Sequence, residues 1–314
     1  MANKLIVSAA PHITSADTTS KIMQRVCLAL VPTLIASVLV FGISSLILTV
    51  VTVAACVLFE YGYCKMMGRE IAIDDFSAVV TGMLLAFNLP AGMPVWMAVV
   101  GAFIAIVIVK QLFGGMGYNF ANPAIVGRIA LAIGYASRMA TYPKPANGID
   151  VLSSATPLAV SAELGSDSYM TLLLGTHGGV LGETCAITIL VGGIYLIATK
   201  VISPMIPLSY LGTVAVLSVV SGNDPVVQLL SGGLLLGAFF MATDYVTSPT
   251  TEKGKLVFGI GLGVITCAIR FFGTMNEGVS FAILLMNLMV PYIEVLTRQD
   301  KLGIAKVKKG GAAK

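Results

Sequence analysis

From Ile22 to Phe59 the chain is nearly all apolar, with its clearest break at Gly42–Ser45. That is enough for two membrane crossings of roughly 20 residues each, joined by a tight turn. Further runs follow at Ser77–Leu89, Val95–Val109, Ile125–Tyr135, Leu181–Thr199, Pro207–Val220, Val226–Met241, Leu256–Phe272 and Val279–Leu296. The apolar residues come in blocks rather than in alternation, so they belong to helices that face lipid or one another. Only 11% of the residues are charged, less than half of the ~25% usual in a soluble domain. These features predict an all-α polytopic membrane protein with about ten transmembrane segments. Ser77–Leu89, closed by Pro90, Gly92 and Pro94, is too short for a straight crossing unless polar ends or a broken helix complete it.

The basic residues give the chain a direction. With a cytoplasmic N-terminus, Lys4, Lys21, Arg25, Lys65, Arg69, Lys110, Lys200, Lys253 and Lys255 fall inside. So do Arg298, Lys301, Lys306, Lys308, Lys309 and Lys314 of the C-terminal tail. Arg138, Lys144 and Arg270 fall outside, and Arg128 lies within the membrane. This is the bias of the positive-inside rule, and it puts both termini in the cytoplasm of a multi-pass cell (inner) membrane protein. Met1–Ser20 is polar, so no cleavable leader is expected.

Two stretches echo each other: Gly82–Phe87 resembles Gly233–Phe239, and K-Q-L-F-G-G-M from Lys110 resembles R-F-F-G-T-M from Arg270. An odd number of crossings per copy forces such copies to be inverted. The expected division is therefore a tail at 1–21, a first membrane repeat at 22–135, an extracytoplasmic loop at 136–178, a second repeat at 179–297 and a basic tail at 298–314.

Several patterns are set aside. The five cysteines have no C-x-x-C spacing and read as small core residues. Gly259, Gly261 and Gly263 lie inside an apolar run, where small residues serve helix packing rather than dinucleotide binding. No metal-ligand spacing, hydrolase triad or nucleic-acid patch is visible. The basic tail suits the anionic inner leaflet of membrane lipid or a cytoplasmic partner.

The candidate chemistry lies in polar residues at the edges of the runs. In D-V-L-S-S-A-T-P, Asp150 to Pro157, the proline keeps Thr156 out of helical backbone. Thr156 then either caps a helix that starts at Pro157 or offers an exposed hydroxyl to a covalent group. Arg128 needs a partner inside the membrane: an anionic group, Glu183, or a snorkelling position. Asn122 and Pro123 open the fifth run and leave free N–H groups there. Gly178 and Gly179 let backbone approach a ring closely, and His177 is either a hydrogen-bonding group or a solvated loop residue. Glu183 is a helix-start carboxylate or part of a cation path. Asp244 and Thr243, with Thr247 and Ser248, are either a turn cap or an oxygen-rich site for a hard cation. Glu60, Glu277 and Glu294 are further intramembrane or edge carboxylates.

D-x-x-S-x-A-T at 150–156, N-P-A-x-x-G-R at 122–128, T-H-G-G-V-L-G-E at 176–183 and M-A-T-D at 241–244 resemble the family of Rnf D subunits. That family is similar to the B subunit of the sodium-pumping NADH:quinone reductase. The resemblance implies that a flavin transferase places FMN on Thr156 as a phosphoester, using Asp150, Ser153, Ser154 and Ala155. Ser154 stands where the family usually has glycine. It also implies that Arg128, Asn122, Pro157, His177, Gly178 and Gly179 lie near a flavin, and that Asp244, Thr243 and Glu183 lie on an ion path. The activity implied is electron relay between reduced ferredoxin and NAD, coupled to sodium or proton export. The implied partners are other Rnf subunits, one carrying a covalent flavin and others carrying iron–sulfur clusters. A second, non-covalent riboflavin belongs to the same analogy, and no residue here demonstrates it. The rival reading, from the helix pattern alone, is a secondary transporter or channel for a small polar solute.

Overall fold

The computed structural model describes residues 17–69, 73–142, 168–175, 177–183, 185–273 and 278–298. Among them the architecture is helical, in agreement with the expected all-α membrane class. Helix α1 (Thr19–Phe41) is capped by the Thr18 side chain, and α2 (Ile43–Met66) follows after the single residue Gly42. A 3-10 turn at Ile73–Asp75 leads into α3 (Ser77–Phe87). Helix α4 (Val95–Phe103) continues as a π-helical stretch, Ile104–Gln111. The first half closes with α5 (Pro123–Gly134) and the short α6 (Ala136–Met139). The second half holds α7 (Ser168–Leu174), α8 (Ala186–Ala198), α9 (Met205–Val220) and α10 (Pro225–Leu230). It continues with α11 (Leu234–Leu236), which runs on as π-helix Gly237–Met241, then α12 (Glu252–Phe272) and α13 (Val279–Thr297).

Four of these helices, α1, α2, α12 and α13, are long and apolar enough to cross a membrane. The others are shorter apolar helices. At 1.5 Å per residue α3 reaches only about 16 Å, half of a ~30 Å hydrocarbon core. Of the two alternatives for this short run, the structure takes the broken helix. Two other boundaries move. The predicted run Leu181–Thr199 becomes helical only at Ala186, because residues 180–182 pair with the end of α3 instead. The predicted run Val226–Met241 breaks at Ser231–Gly233, where Gly232 and Gly233 take left-handed φ values of 70° and 65° that other residues resist.

Small residues let the helices close on each other. A Cβ on Gly259 would stand 1.8 Å from Ser209 Oγ, and one on Gly263 would stand 2.5 Å from Thr213 Cβ. These two glycines bring α12 onto α9, while Gly261 faces Met286 of α13. Buried between α9 and α12, the Tyr210 and Thr266 hydroxyls share a 2.6 Å hydrogen bond. On the other side, Gly192 of α8 lies against the Ala29 carbonyl of α1.

Two cations that close apolar runs anchor the starts of neighbouring segments. Lys110, at the end of the fourth segment, bonds Ser77 Oγ at the start of α3. Arg270, at the end of α12, bonds the Ser231 and Gly232 carbonyls just before α11. The start of α1, the ends of α2 and α4, and the start of α3 share one end of the molecule through Ser20–Asp74 and Arg69–Gln111 bonds. The same end receives the 242–251 turn, whose Tyr245 hydroxyl bonds the Val201 carbonyl beyond α8.

If the glycines hold α9 and α12 together, Gly263→Leu will destabilise the protein by about 1–3 kcal/mol, the usual range for overpacking. Gly212→Leu, at a position with nothing within 4 Å of the added carbon, will leave the thermal midpoint in detergent within a degree or two of wild type. Size-exclusion profiles after graded heating distinguish the two outcomes.

Candidate cofactor and ion site

The broken elements meet in the middle of the molecule. Gly182 N donates to Phe87 O at 2.7 Å and Leu181 N to Leu89 O at 3.1 Å. Val180 bridges Pro90 in antiparallel fashion. These bonds absorb polar backbone that α3 leaves open when it stops short, as a lipid-embedded protein requires. A Cβ on Gly182 would come within 2.9 Å of the Phe87 carbonyl, so the close approach depends on glycine there.

A second knot joins the two halves. Asn122 caps α5, accepting from Ala124 N at 3.1 Å and Ile125 N at 3.4 Å. Its Nδ2 donates to Met241 O at 3.4 Å, where the π-helix of the second half ends. Asn287 of α13, its amide oriented by its partners, donates to Thr247 O at 3.0 Å and Ile283 O at 3.2 Å. Its oxygen accepts from Asn122 N at 3.1 Å. Both asparagines are buried.

Beside this knot lies a cavity of about 280 Å³. Its wall is mostly apolar, with polar groups from both halves: Ser77, Thr81, Lys110, Asn119 and Asn122 from the first, Thr243 and Asp244 from the second. Asp244 accepts from Thr247 Oγ1 at 3.0 Å, and Thr243 Oγ1 donates to Phe239 O at 2.7 Å. Burial raises the Asp244 carboxyl above the usual aspartate range, and the bonds from Thr247, Val246 and Tyr245 only partly counter it.

Lys110 is the cation of this wall. Only 3% exposed, it donates to Glu60 Oε1 at 2.7 Å, Glu60 Oε2 at 3.0 Å and Ser77 Oγ at 2.6 Å. Gln111 Nε2 adds a fourth bond, 2.8 Å, to Glu60 Oε1. Ser77 in turn donates to Asp75 Oδ1 at 2.6 Å. A pair this deep persists because its hydrogen-bonding capacity is filled.

The structure thus brings Asn122, Thr243 and Asp244 together and leaves the other described candidates outside the cavity lining. Arg128 is buried on α5 and donates to Ser280 Oγ at the start of α13. Glu183 is buried just before α8, but its carboxylate lies against Gly233 and Gly179. It therefore neighbours the start of α11 rather than capping α8, whose N-cap is Cys185. His177 Nδ1 is 3.1 Å from Gly178 O, and burial lowers its affinity for a proton. Asp150, Ser153, Ser154, Ala155, Thr156 and Pro157 lie outside the described residues, as does Glu277. Glu294 accepts from Thr250 at the exposed edge of α13. Ser77, Thr81, Lys110 and Asn119 were not singled out as site residues from sequence. Lys110 carried a signal, an isolated charge closing an apolar run.

Interrupted helices beside a polar cavity, together with four helices long and apolar enough to cross a membrane, define an all-helical multi-pass membrane protein. The particular lineage follows from comparison: the chain belongs to the NQR2, RnfD, RnfE family, whose family model matches residues 6–303. It is 45% identical to the D subunit of the Na(+)-translocating ferredoxin:NAD(+) oxidoreductase complex of Acetobacterium woodii, over 98% of both chains. It is 40% identical to the D subunit of the proton-translocating ferredoxin:NAD(+) oxidoreductase complex of Clostridium ljungdahlii, covering 96% of this chain and 97% of that one. The D subunit of an ion-translocating oxidoreductase complex of Stutzerimonas stutzeri is also 40% identical, over 90% and 92% of the two chains.

Replacing Asn287 by leucine removes a hydrogen-bonding group from a buried, fully engaged knot. The expected cost is about 1–3 kcal/mol, seen as a lower thermal midpoint of the purified protein.

Proposed function

We propose that the chain is a membrane subunit of an ion-translocating oxidoreductase of the ferredoxin:NAD type. In this reading it carries FMN as a phosphoester on Thr156 and couples electron relay to export of sodium or protons. The observation that carries the reading is D-x-x-S-x-A-T at 150–156 in a chain that aligns nearly end to end with the D subunit of such complexes. A tethered flavin supplies a carrier that passes electrons one at a time. The protein's part is to hold it in place and to keep the ion path tied to its charge.

The distribution of charge supports the orientation. Lys21, Arg25, Lys65, Arg69, Lys110, Lys200, Lys253, Lys255 and Arg298 cluster at the end shared by the start of α1 and the 242–251 turn, whereas Arg138 and Arg270 lie toward the other. By the positive-inside rule the first end is cytoplasmic. Both termini then belong to the cytoplasm, and the threonine loop, which joins α6 to α7, belongs to the outer face. The two halves act as inverted repeats, divided as 22–135 and 179–297, with the loop 136–178 between them.

The roles of the remaining residues rest on the family motifs that contain them. A flavin transferase is required for loading, with Asp150, Ser153, Ser154 and Ala155 as its recognition motif. Arg128, Asn122, Pro157, His177, Gly178 and Gly179 are the proposed flavin-side residues. Asp244, Thr243 and Glu183 are the proposed ion-path residues. A second, non-covalent flavin, riboflavin, belongs to the same reading by family analogy alone. Other subunits supply the further covalent flavin and the iron–sulfur clusters.

Thr156→Val is expected to abolish the ultraviolet fluorescence of this chain after denaturing electrophoresis, when it is co-expressed with a flavin transferase, while leaving it in the membrane. A wild-type band that stays dark under those conditions makes a redox-free solute transporter the better reading. For the ion path, Asp244→Asn is expected to lower ion export per electron at least tenfold in complex reconstituted into liposomes. Because burial raises the Asp244 carboxyl, wild-type transport should fall as pH drops through its raised titration, and the variant should lack that component. Unchanged coupling removes Asp244 from the path.

A further inference from the structure

We propose that the face between α1 and α8 binds an anionic phospholipid. Its phosphate sits among basic side chains at one end, and an acyl chain fills the groove that runs inward from them. The groove, about 270 Å³, is walled by Leu28, Val31 and Pro32 of α1 and by Val191, Gly192 and Tyr195 of α8. It is not the cavity beside Asn122. Ile22, Met23 and Val26 line that cavity, so the two hollows use different faces of α1.

The groove has a floor and an open rim. A Cβ on Gly192 would stand 2.3 Å from the Ala29 carbonyl oxygen, so the backbones of α1 and α8 meet at the floor. On the rim, Leu28 and Val191 are 59% and 54% exposed. The charges are placed by the same helix. Lys21, Arg25, Leu28 and Pro32 are spaced i, i+4, i+7 and i+11, which puts them on one face of α1. That stripe is basic over its first two turns and apolar beyond. Helix α8 runs antiparallel to α1, and its C-terminal end joins the basic part of the stripe: Tyr245 bonds the Val201 carbonyl and lies within electrostatic reach of Arg25. Beside Val201, the exposed Lys200 holds a left-handed φ of 57°, one residue past the α8 cap, where glycine is the common choice. Asp17 sits against the stripe, 3.0 Å from Arg25, but it is 47% exposed and an ion pair in water holds weakly. Lys21, Arg25 and Lys200 outweigh it.

Depth agrees with charge. Leu28 and Pro32 lie about 14 and 20 Å along α1 from Thr19, where the acyl chain of a lipid runs when its phosphate is level with the helix start. A soluble phosphate would leave the groove unused, and a lipid without net charge would leave the cations unused. The two features together select a diacyl phosphate ester of net negative charge. The positive-inside rule places this end in the cytoplasm, so the lipid belongs to the inner leaflet.

The test reconstitutes the purified whole complex in phosphatidylcholine nanodiscs doped with photoreactive phosphatidylglycerol or photoreactive phosphatidylcholine, both carrying the diazirine on the same acyl chain. Mass spectrometry maps the adducts. Phosphatidylglycerol adducts at Leu28, Val31 and Val191 are expected to exceed phosphatidylcholine adducts at least about fivefold, the worth of one basic group at an anionic surface. Lys21→Gln/Lys200→Gln should abolish that preference while leaving phosphatidylcholine adducts in place. Val191→Trp should fill the groove and remove adducts of both lipids from Leu28 and Val31. Both variants change exposed side chains, and either one, assembled into the complex, decides the matter. Equal labelling by the two lipids reduces the face to ordinary lipid contact and overturns the proposal. A wild-type complex without adducts there has the groove covered by a partner subunit, which overturns it too. Competition by soluble glycerophosphate, with labelling untouched by Val191→Trp, reveals an anion site without a lipid and equally overturns it.

Discussion

The constraint on which this structure depends is that backbone cannot be left unsatisfied at membrane depth. Helix α3 stops after Phe87, α8 does not begin until Ala186, and the eighth segment breaks at Ser231–Gly233. Each interruption frees N–H and C=O groups that lipid cannot bond. The protein answers each locally: residues 180–182 bond the end of α3, Arg270 bonds the Ser231 and Gly232 carbonyls, and Asn122 ties the start of α5 to the end of the 237–241 π-helix. A polar cavity lies beside the Asn122 junction.

Charge obeys the same economy. The cations that close the two apolar runs are enclosed by acceptors: Lys110 by Glu60 and Ser77, Arg270 by carbonyls at the break before α11. The two cations meet different acceptors. The Lys110 end holds a carboxylate partner and a cavity, and Arg270 bonds the Gln228 side chain and the carbonyls of Gln228, Ser231 and Gly232.

Much of the fold was legible because membrane helices announce themselves by length. The turn at Gly42, the short run ending at Leu89 and the packing role of Gly259 and Gly263 followed from residue type and spacing. The late start of α8 was missed because Leu181 continues an apolar run, and hydropathy does not register a backbone bond to Phe87 and Leu89. The break before α11 was missed although Gly232 and Gly233 stood in view, since paired glycines inside an apolar run also serve packing. At the site, Asn122, Thr243 and Asp244 were found through polar residues at run edges. Lys110 was read only as a mark of sidedness, because its partner Glu60 lies 50 residues away.

By itself the sequence determined the membrane class, the apolar runs, the end toward which basic residues gather and the threonine motif. These are properties of composition and local order, written in consecutive residues. Only the tertiary structure decided that Lys110, Asn122 and Asp244 share one cavity, that Glu60 stands behind it, and that Arg128 turns to Ser280. The reason is that lipid is as apolar as a neighbouring helix. A hydrophobic run states that it must leave water, and the packing of whole helices selects the neighbour it meets.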